Sequence, residues 1–168
     1  MATMVSEVIE IKVHLISDEK FQPFGEIIQL NTVEPLTINQ GQCLRFNDLA
    51  NLDHDPDGRM GISIFESSIR TIPYEFNLVE RHPHGSQFFL PMDNEPFLVI
   101  VAPDQDGIPG TPKAFITSKY QGINFHRGTW HGVLTPIQGS GKFLVIDWIG
   151  SKANLEEYLY PHYCKVVR

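Results

Sequence analysis

The sequence predicts a mainly β fold, closed into a barrel or packed as a double-sheet jelly roll, on three observations. Hydrophobic residues recur in strand-length stretches rather than with a long helical period. Those stretches are rich in β-branched and aromatic side chains, which suit a pleated, half-buried surface. Glycine and proline, 13 and 12 residues, punctuate them throughout, which favours many short connections. An open sheet of about ten such strands would leave long unpaired edges, and closure removes them. The length, 168 residues with no visible repeat or linker, fits one domain over residues 1–168.

In chain order, the first strand is read over Val8 to Ile16. Ser17-Asp18-Glu19-Lys20-Phe21 then offers a capping serine and an acidic first turn, which predicts one short helix before Pro23. Strands follow over Gly25 to Leu30, Gly61 to Phe65 and Tyr74 to Val79. Between the first two of these, Asn51 to Gly58 is acidic and turn-rich, with Asp55-Pro56-Asp57-Gly58, and reads as a mobile surface loop. Gln87 to Leu90, the wholly apolar Phe97 to Val101, and Ala114 to Thr117 continue the pattern, the last two separated by the turn Asp106-Gly107-Ile108-Pro109-Gly110. Ile123 to His126, Thr129 to Leu134 and Phe143 to Trp148 complete it, with Gly139-Ser140-Gly141 as the last strong turn. Asn154 to Tyr160 reads as either a short helix or a closing strand.

Charge narrows the function. With 20 acidic against 13 basic residues the net charge is −7, and no segment concentrates Lys and Arg. Nucleic acid and anionic membrane surfaces, which need a basic face, are therefore excluded as expected partners. No apolar run approaches the roughly 20 residues that span a bilayer. Residues Met1 to Lys20 carry Glu7, Glu10 and Asp18 where a secretory leader needs a basic start and an unbroken apolar region, so a cytoplasmic protein is expected. The two cysteines, Cys43 and Cys164, are far apart and read as reduced structural thiols.

The chemistry concentrates in two histidine-bearing segments, Glu80-Arg81-His82-Pro83-His84-Gly85-Ser86-Gln87 and Asn124-Phe125-His126-Arg127-Gly128-Thr129-Trp130-His131. A strand has a side-chain period of two, so Glu80, His82 and His84 share a face if the strand stays regular through Pro83. Two such strands can present several imidazoles to one cavity. His82 and His84 with a later His131 form a ligand set for a divalent metal such as nickel, zinc or iron; the downstream position where a carboxylate is expected carries the neutral Gln87. A metal-free polar pocket is the other reading of the same residues.

These segments resemble degenerate forms of the two cupin motifs, a His-x-His followed by a carboxylate and a later Gly-x-x-His. More specifically, the chain resembles the ureidoglycolate lyase family. The resemblance rests on Ile38-Asn39-Gln40-Gly41, Arg45-Phe46 with Asp48-Leu49-Ala50, Ser63-Ile64-Phe65, and Glu80-Arg81-His82-Pro83 with Gly85-Ser86-Gln87. It continues through Ala114-Phe115-Ile116-Thr117 and Gln121-Gly122-Ile123-Asn124-Phe125-His126-Arg127 with Trp130-His131, and so spans about Phe21 to Asp147 in consistent order. It implies a cupin-like jelly-roll barrel with one or two short helices, a homodimer, and a carbon–nitrogen lyase that cleaves ureidoglycolate to glyoxylate and urea in allantoin and purine catabolism. Nickel is the cofactor it suggests. Glu66 and Trp148 stand where that family usually has arginines, and His84 where an apolar residue is common.

The reaction has its own demands. A hemiaminal hydroxyl must lose a proton, the departing urea nitrogen must gain one, and the substrate carboxylate needs a cationic or N–H-rich clamp. His126 and His131, with His82, are the candidate catalytic residues, since imidazole titrates near neutrality. Gln87 and Asn124 can hydrogen-bond the ureido group, and Arg127 or Arg45 can hold the carboxylate in bidentate fashion. A metal on His82, His84 and His131 would instead act as a Lewis acid. Asp147 is read as a partner that orients a histidine. The alternatives are a hydrolase that releases ammonia from the same substrate, a metal-dependent cupin dioxygenase or isomerase, and a cupin that binds a small molecule without turnover.

Overall fold

The computed structural model describes residues 7–168; the part of the leader reading that falls on residues 1–6 lies outside the described residues. Strand β1 (Val8–Leu15) leads into one helical turn, α1 (Asp18–Phe21), and then β2 (Gly25–Ile28). A small hairpin, β3 (Leu36–Ile38) and β4 (Cys43–Arg45), precedes β5 (Arg59–Glu66), β6 (Tyr74–Arg81), β7 (Gln87–Pro91) and β8 (Phe97–Ala102). The two-residue strands β9 (Asp104–Gln105) and β10 (Ile108–Pro109) come next, followed by β11 (Lys113–Ile116), β12 (Gly122–Phe125) and β13 (Trp130–His131). The chain finishes with β14 (Thr135–Pro136), β15 (Lys142–Ile149) and the long β16 (Glu156–Val167).

One sheet runs β11-β1-β16-β6-β13-β8, and β8 pairs back to β11, so six strands close into a mixed barrel. Two of its pairings, β1 with β11 and β1 with β16, are parallel. The barrel is filled by Ile11, Phe76, Val79, Leu98, Ile100, Ala102, Ala114, Trp130, Tyr160, Cys164 and Val166, residues drawn from all six strands. A second sheet, β2-β12-β7-β15-β5, packs on its flank. The layer between them holds Phe21, Phe89, Phe97, Val99, Val101, Phe115, Ile123, Phe125, Phe143 and Val145. The expected mainly β, cupin-like barrel is what forms.

The unbroken apolar run of β8 follows from this layering. Leu98, Ile100 and Ala102 face the barrel interior while Phe97, Val99 and Val101 face the second sheet, so neither side can be polar. The short helix forms where expected, with the Ser17 hydroxyl accepting from the Lys20 N–H at 3.4 Å and Phe21 buried beneath it. The ambiguous C-terminal segment is a strand and continues to Val167, since β1 and β6 both pair with it and bury Cys164 and Val166.

Among the described residues, no helix is long and apolar enough to cross a membrane. The Asn51–Gly58 segment is not the free loop its composition suggested. Asp53 and Asp55 both accept from Arg127, Asp55 also from His84, and the Ser86 N–H donates to the Asp53 carbonyl at 2.8 Å. Asp57 adds an ion pair to Lys152.

Candidate active site

Strands β6 and β13 place the chemistry. They pair antiparallel with Glu80 opposite His131, so these two side chains leave the barrel wall on the same side. Trp130 fills the barrel; its neighbour His131 therefore projects the other way, into the layer between the sheets. There the His131 ring stacks on Phe125, with centroids 4.3 Å apart and planes 7° from parallel. His82 lies two residues beyond Glu80, just past the end of β6, and its ring centroid is 5.1 Å from that of His131. The Glu80 carboxylate and the two imidazoles bring one ligand atom each to within 4.8 Å of one another.

The imidazoles are locked by backbone carbonyls. The Nδ1 of His82 lies 2.7 Å from the Asn154 carbonyl and that of His131 2.8 Å from the Gly132 carbonyl. A carbonyl only accepts, so Nδ1 carries the proton, and in the neutral ring Nε2 is a bare lone pair. Both Nε2 atoms are buried and have no hydrogen-bond partner. Burial, and after it the neighbouring His82, pushes the His131 pKa down to about 3, so this ring is neutral at physiological pH. Burial raises the Glu80 carboxyl above the ordinary carboxylate range; His82 opposes the shift and Glu157 adds to it.

Gln87 enters the same layer from the second sheet. Across β15, β7 and β12 the register aligns Asp147, Gln87 and Phe125 in one row, and Phe125 is the ring on which His131 rests. Gln87 Nε2 donates to Asp147 at 3.1 Å, while its Oε1 is buried without a partner. The expected role of Asp147 beside a histidine is thus not the one it takes, because both histidine Nδ1 atoms already serve backbone carbonyls.

Other expected site residues lie elsewhere. Pro83 ends the strand, and the turn sends His84 to Asp55 at 2.8 Å and against the Trp148 ring at 4.9 Å, so His84 does not join His82 and His131. Asn124 alternates with Phe125 and faces the outside of the second sheet, where it donates to Glu26 and to the Asn51 carbonyl. His126 follows the end of β12, is exposed, and meets the Gln22 carbonyl at 3.1 Å. It lines a separate cleft of about 440 Å³ with Arg127, Lys113, Asp104 and Trp130. Arg127 is held by Asp53 and Asp55, and Arg45 is exposed on the β3–β4 hairpin. Of the two positions where arginines were expected, Glu66 pairs with Lys142 and Trp148 packs on His84.

The carboxylate that the metal reading lacked is Glu80, upstream of His82. Its signal was the Glu-x-His spacing on one strand face. Two orphaned Nε2 lone pairs with a carboxylate beside them fit a divalent transition metal, and the Nδ1–carbonyl contacts are the outer support that metal-bound histidines carry. Among the described residues no other three His, Cys, Asp or Glu side chains converge in this way.

A family model described as ureidoglycolate lyase matches residues 8–167. The chain is 52% identical over 143 residues to a ureidoglycolate lyase of Rhodobacter capsulatus, covering 85% of this chain and 89% of that protein. It is 42% identical over 153 residues to ureidoglycolate lyase 2 of Rhizobium meliloti, covering 90% and 94%. A ureidoglycolate lyase of Chelativorans is 45% identical over 147 residues, covering 87% and 89%.

Proposed function

The chain belongs to the ureidoglycolate lyase family, and from that premise we propose that it is a carbon–nitrogen lyase that cleaves ureidoglycolate to glyoxylate and urea in purine catabolism. The observation that carries this reading to particular atoms is the convergence of the unpartnered His82 Nε2 and His131 Nε2 beside Glu80.

Cleavage moves one proton off the substrate hydroxyl and one onto the departing urea nitrogen. Glu80, whose carboxylate burial makes a stronger base than an exposed glutamate, accepts the hydroxyl proton as the carbonyl of glyoxylate forms. The same carboxyl gives that proton to the urea nitrogen as the C–N bond breaks, so the site ends as it began. His131, neutral because its ring is buried, lies beside Glu80 on the paired strand, and its Nε2 lone pair accepts a hydrogen bond from the substrate. His82 completes the centre, and Phe125 walls it on the side of the second sheet. A divalent cation such as nickel would be held by Glu80, His82 and His131 in place of those roles, and would then supply Lewis-acid polarisation of the hydroxyl and positive charge toward the substrate carboxylate.

In this reading two copies pair through the outer face of the second sheet, where Ile62 and Ile64 are 74% and 63% exposed. The register continues their rows through Ile146 and Phe88, and through Leu144 and Leu90. A cytoplasmic setting agrees with the two free cysteines.

Incubation of the purified protein with ureidoglycolate tests the reaction. The expected products are equal amounts of glyoxylate and urea; ammonia in place of urea sinks the lyase reading. Repeating the assay after chelation, and again after adding nickel, tests the cation: activity lost and then restored supports it.

A further inference from the structure

The Gln87–Asp147 hydrogen bond has a direction, and that direction decides what the pocket can bind. A glutamine amide has a donor end and an acceptor end of nearly the same shape, so shape alone does not choose which end faces a ligand. Here the partner chooses. A carboxylate oxygen accepts; Nε2 therefore turns to Asp147 at 3.1 Å, and Oε1 is turned away from it, buried and without a partner. Gln87 is 5% exposed, and its neighbours in the row, Asp147 on β15 and Phe125 on β12, lie on the two flanking strands.

We propose that Asp147 is a positioning residue that holds the Gln87 amide with its oxygen toward the pocket, so that the site selects the ureido N–H donors of its substrate. The inference rests on the reaction proposed above. Four buried side-chain atoms among the described residues lack a hydrogen-bond partner; two of them, His82 Nε2 and His131 Nε2, belong to the centre described above, and a third, Gln87 Oε1, is on the row that ends at Phe125 beneath the His131 ring. All three are acceptors. A cation can fill the two imidazole lone pairs, but Gln87 Oε1 is not part of that ligand set and calls for a donor, and ureidoglycolate brings N–H groups on both nitrogens. With the amide reversed, the pocket would present an N–H to those N–H groups, and Oε1 would face the Asp147 carboxylate. A site built from acceptors also discriminates, because a ligand lacking the matching donors leaves buried groups unpaired.

The test is a set of three variants assayed on ureidoglycolate and on its analogue dimethylated at the terminal nitrogen, with thermal melting as a check on folding. Asp147→Asn introduces a side chain that can accept or donate, so Gln87 is free to turn. Its KM for ureidoglycolate should rise about tenfold and its preference over the dimethylated analogue should fall by about the same factor, with kcat changed less. Gln87→Glu alone sets two carboxylates against each other and should raise KM at least as much. Joined as Gln87→Glu with Asp147→Asn, the introduced amide can donate to the introduced carboxylate, whose second oxygen still faces the pocket, so KM and preference should return to within about threefold of the parent.

A parent-like KM and preference in Asp147→Asn, or a double variant that folds yet is no better than the single ones, overturns the assignment of Asp147. If the single variants do not fold, the double variant carries the test by keeping or losing the preference. No urea from the unsubstituted protein overturns the proposed reaction itself, and the assignment with it.

Discussion

His131 is 2% exposed, and its Nε2 is among the few buried polar atoms that the described fold leaves without a partner. An unpaired buried acceptor costs roughly 1–3 kcal/mol, a cost that a substrate or an ion filling the site would offset. His131→Phe keeps a ring over Phe125 and removes the lone pair. It should lower urea release by about 10²–10³-fold, as loss of a preorganised polar group at a reacting centre does. The melting temperature should move by only a few degrees, given about 2–4 °C per kcal/mol for a chain of this size. A variant with parent-like turnover would remove His131 from the mechanism. At this scale the sequence was half legible. The period of two put Glu80 and His82 on one face, but whether His84 followed them depended on Pro83, and the structure ends the strand there. The carboxylate partner is consequently Glu80, and His84 serves Asp55 instead.

Composition misleads most for the Asn51–Gly58 segment. Acidic, proline-bearing turns read as mobile, yet this one is stapled by Arg127 from beyond the end of β12 and bridged to Gly85 through His54. Hydrogen bonds from Arg127 are the main cause holding the carboxyls of Asp53 and Asp55 below their ordinary range. Groups with a depressed folded pKa contribute stability above their unfolded value, near 3.8, and lose it as pH falls through the folded value. Arg127→Met should therefore lower the melting temperature at pH 7, and the difference from the parent should shrink as the pH falls through and below the ordinary carboxylate range. Equal melting at pH 7 would mean that the staple contributes nothing. Strand β16 shows the opposite difficulty. Pro161 lies where its register against β6 shifts, between Leu159 and Cys164, which is where a proline that lacks an N–H is tolerated in a central strand.

On the scale of the molecule, closing the barrel removes the edges of one sheet but leaves the other with an outer face that is exposed at Ile62 and Ile64. Ile62 and Ile64, with Ile146, Phe88, Leu144 and Leu90 beside them, form an apolar surface of the kind that marks an interface. Sedimentation should show a dimer for the parent. Ile62→Lys combined with Ile64→Lys should shift it to monomer with little change in melting, because these side chains point away from the core. A monomeric parent would overturn the proposed pairing.

Sequence by itself determined the mainly β class, most of the strands, the capped helical turn, the family and the segments that carry the histidines. Each of these is written in local patterns: a period of two, turn residues, a capping serine and ordered motifs. Which of those residues meet was decided only by the tertiary structure. Alternation turned Asn124 outward while Phe125 turned in, Asp53 and Asp55 claimed the arginine expected to hold a carboxylate, and Asp147 found Gln87 through register across β15 and β7. The physical reason is that a side chain's direction is set by its own strand, whereas its partners are set by how distant strands pair, and a one-residue change in that pairing moves each side chain to the other face.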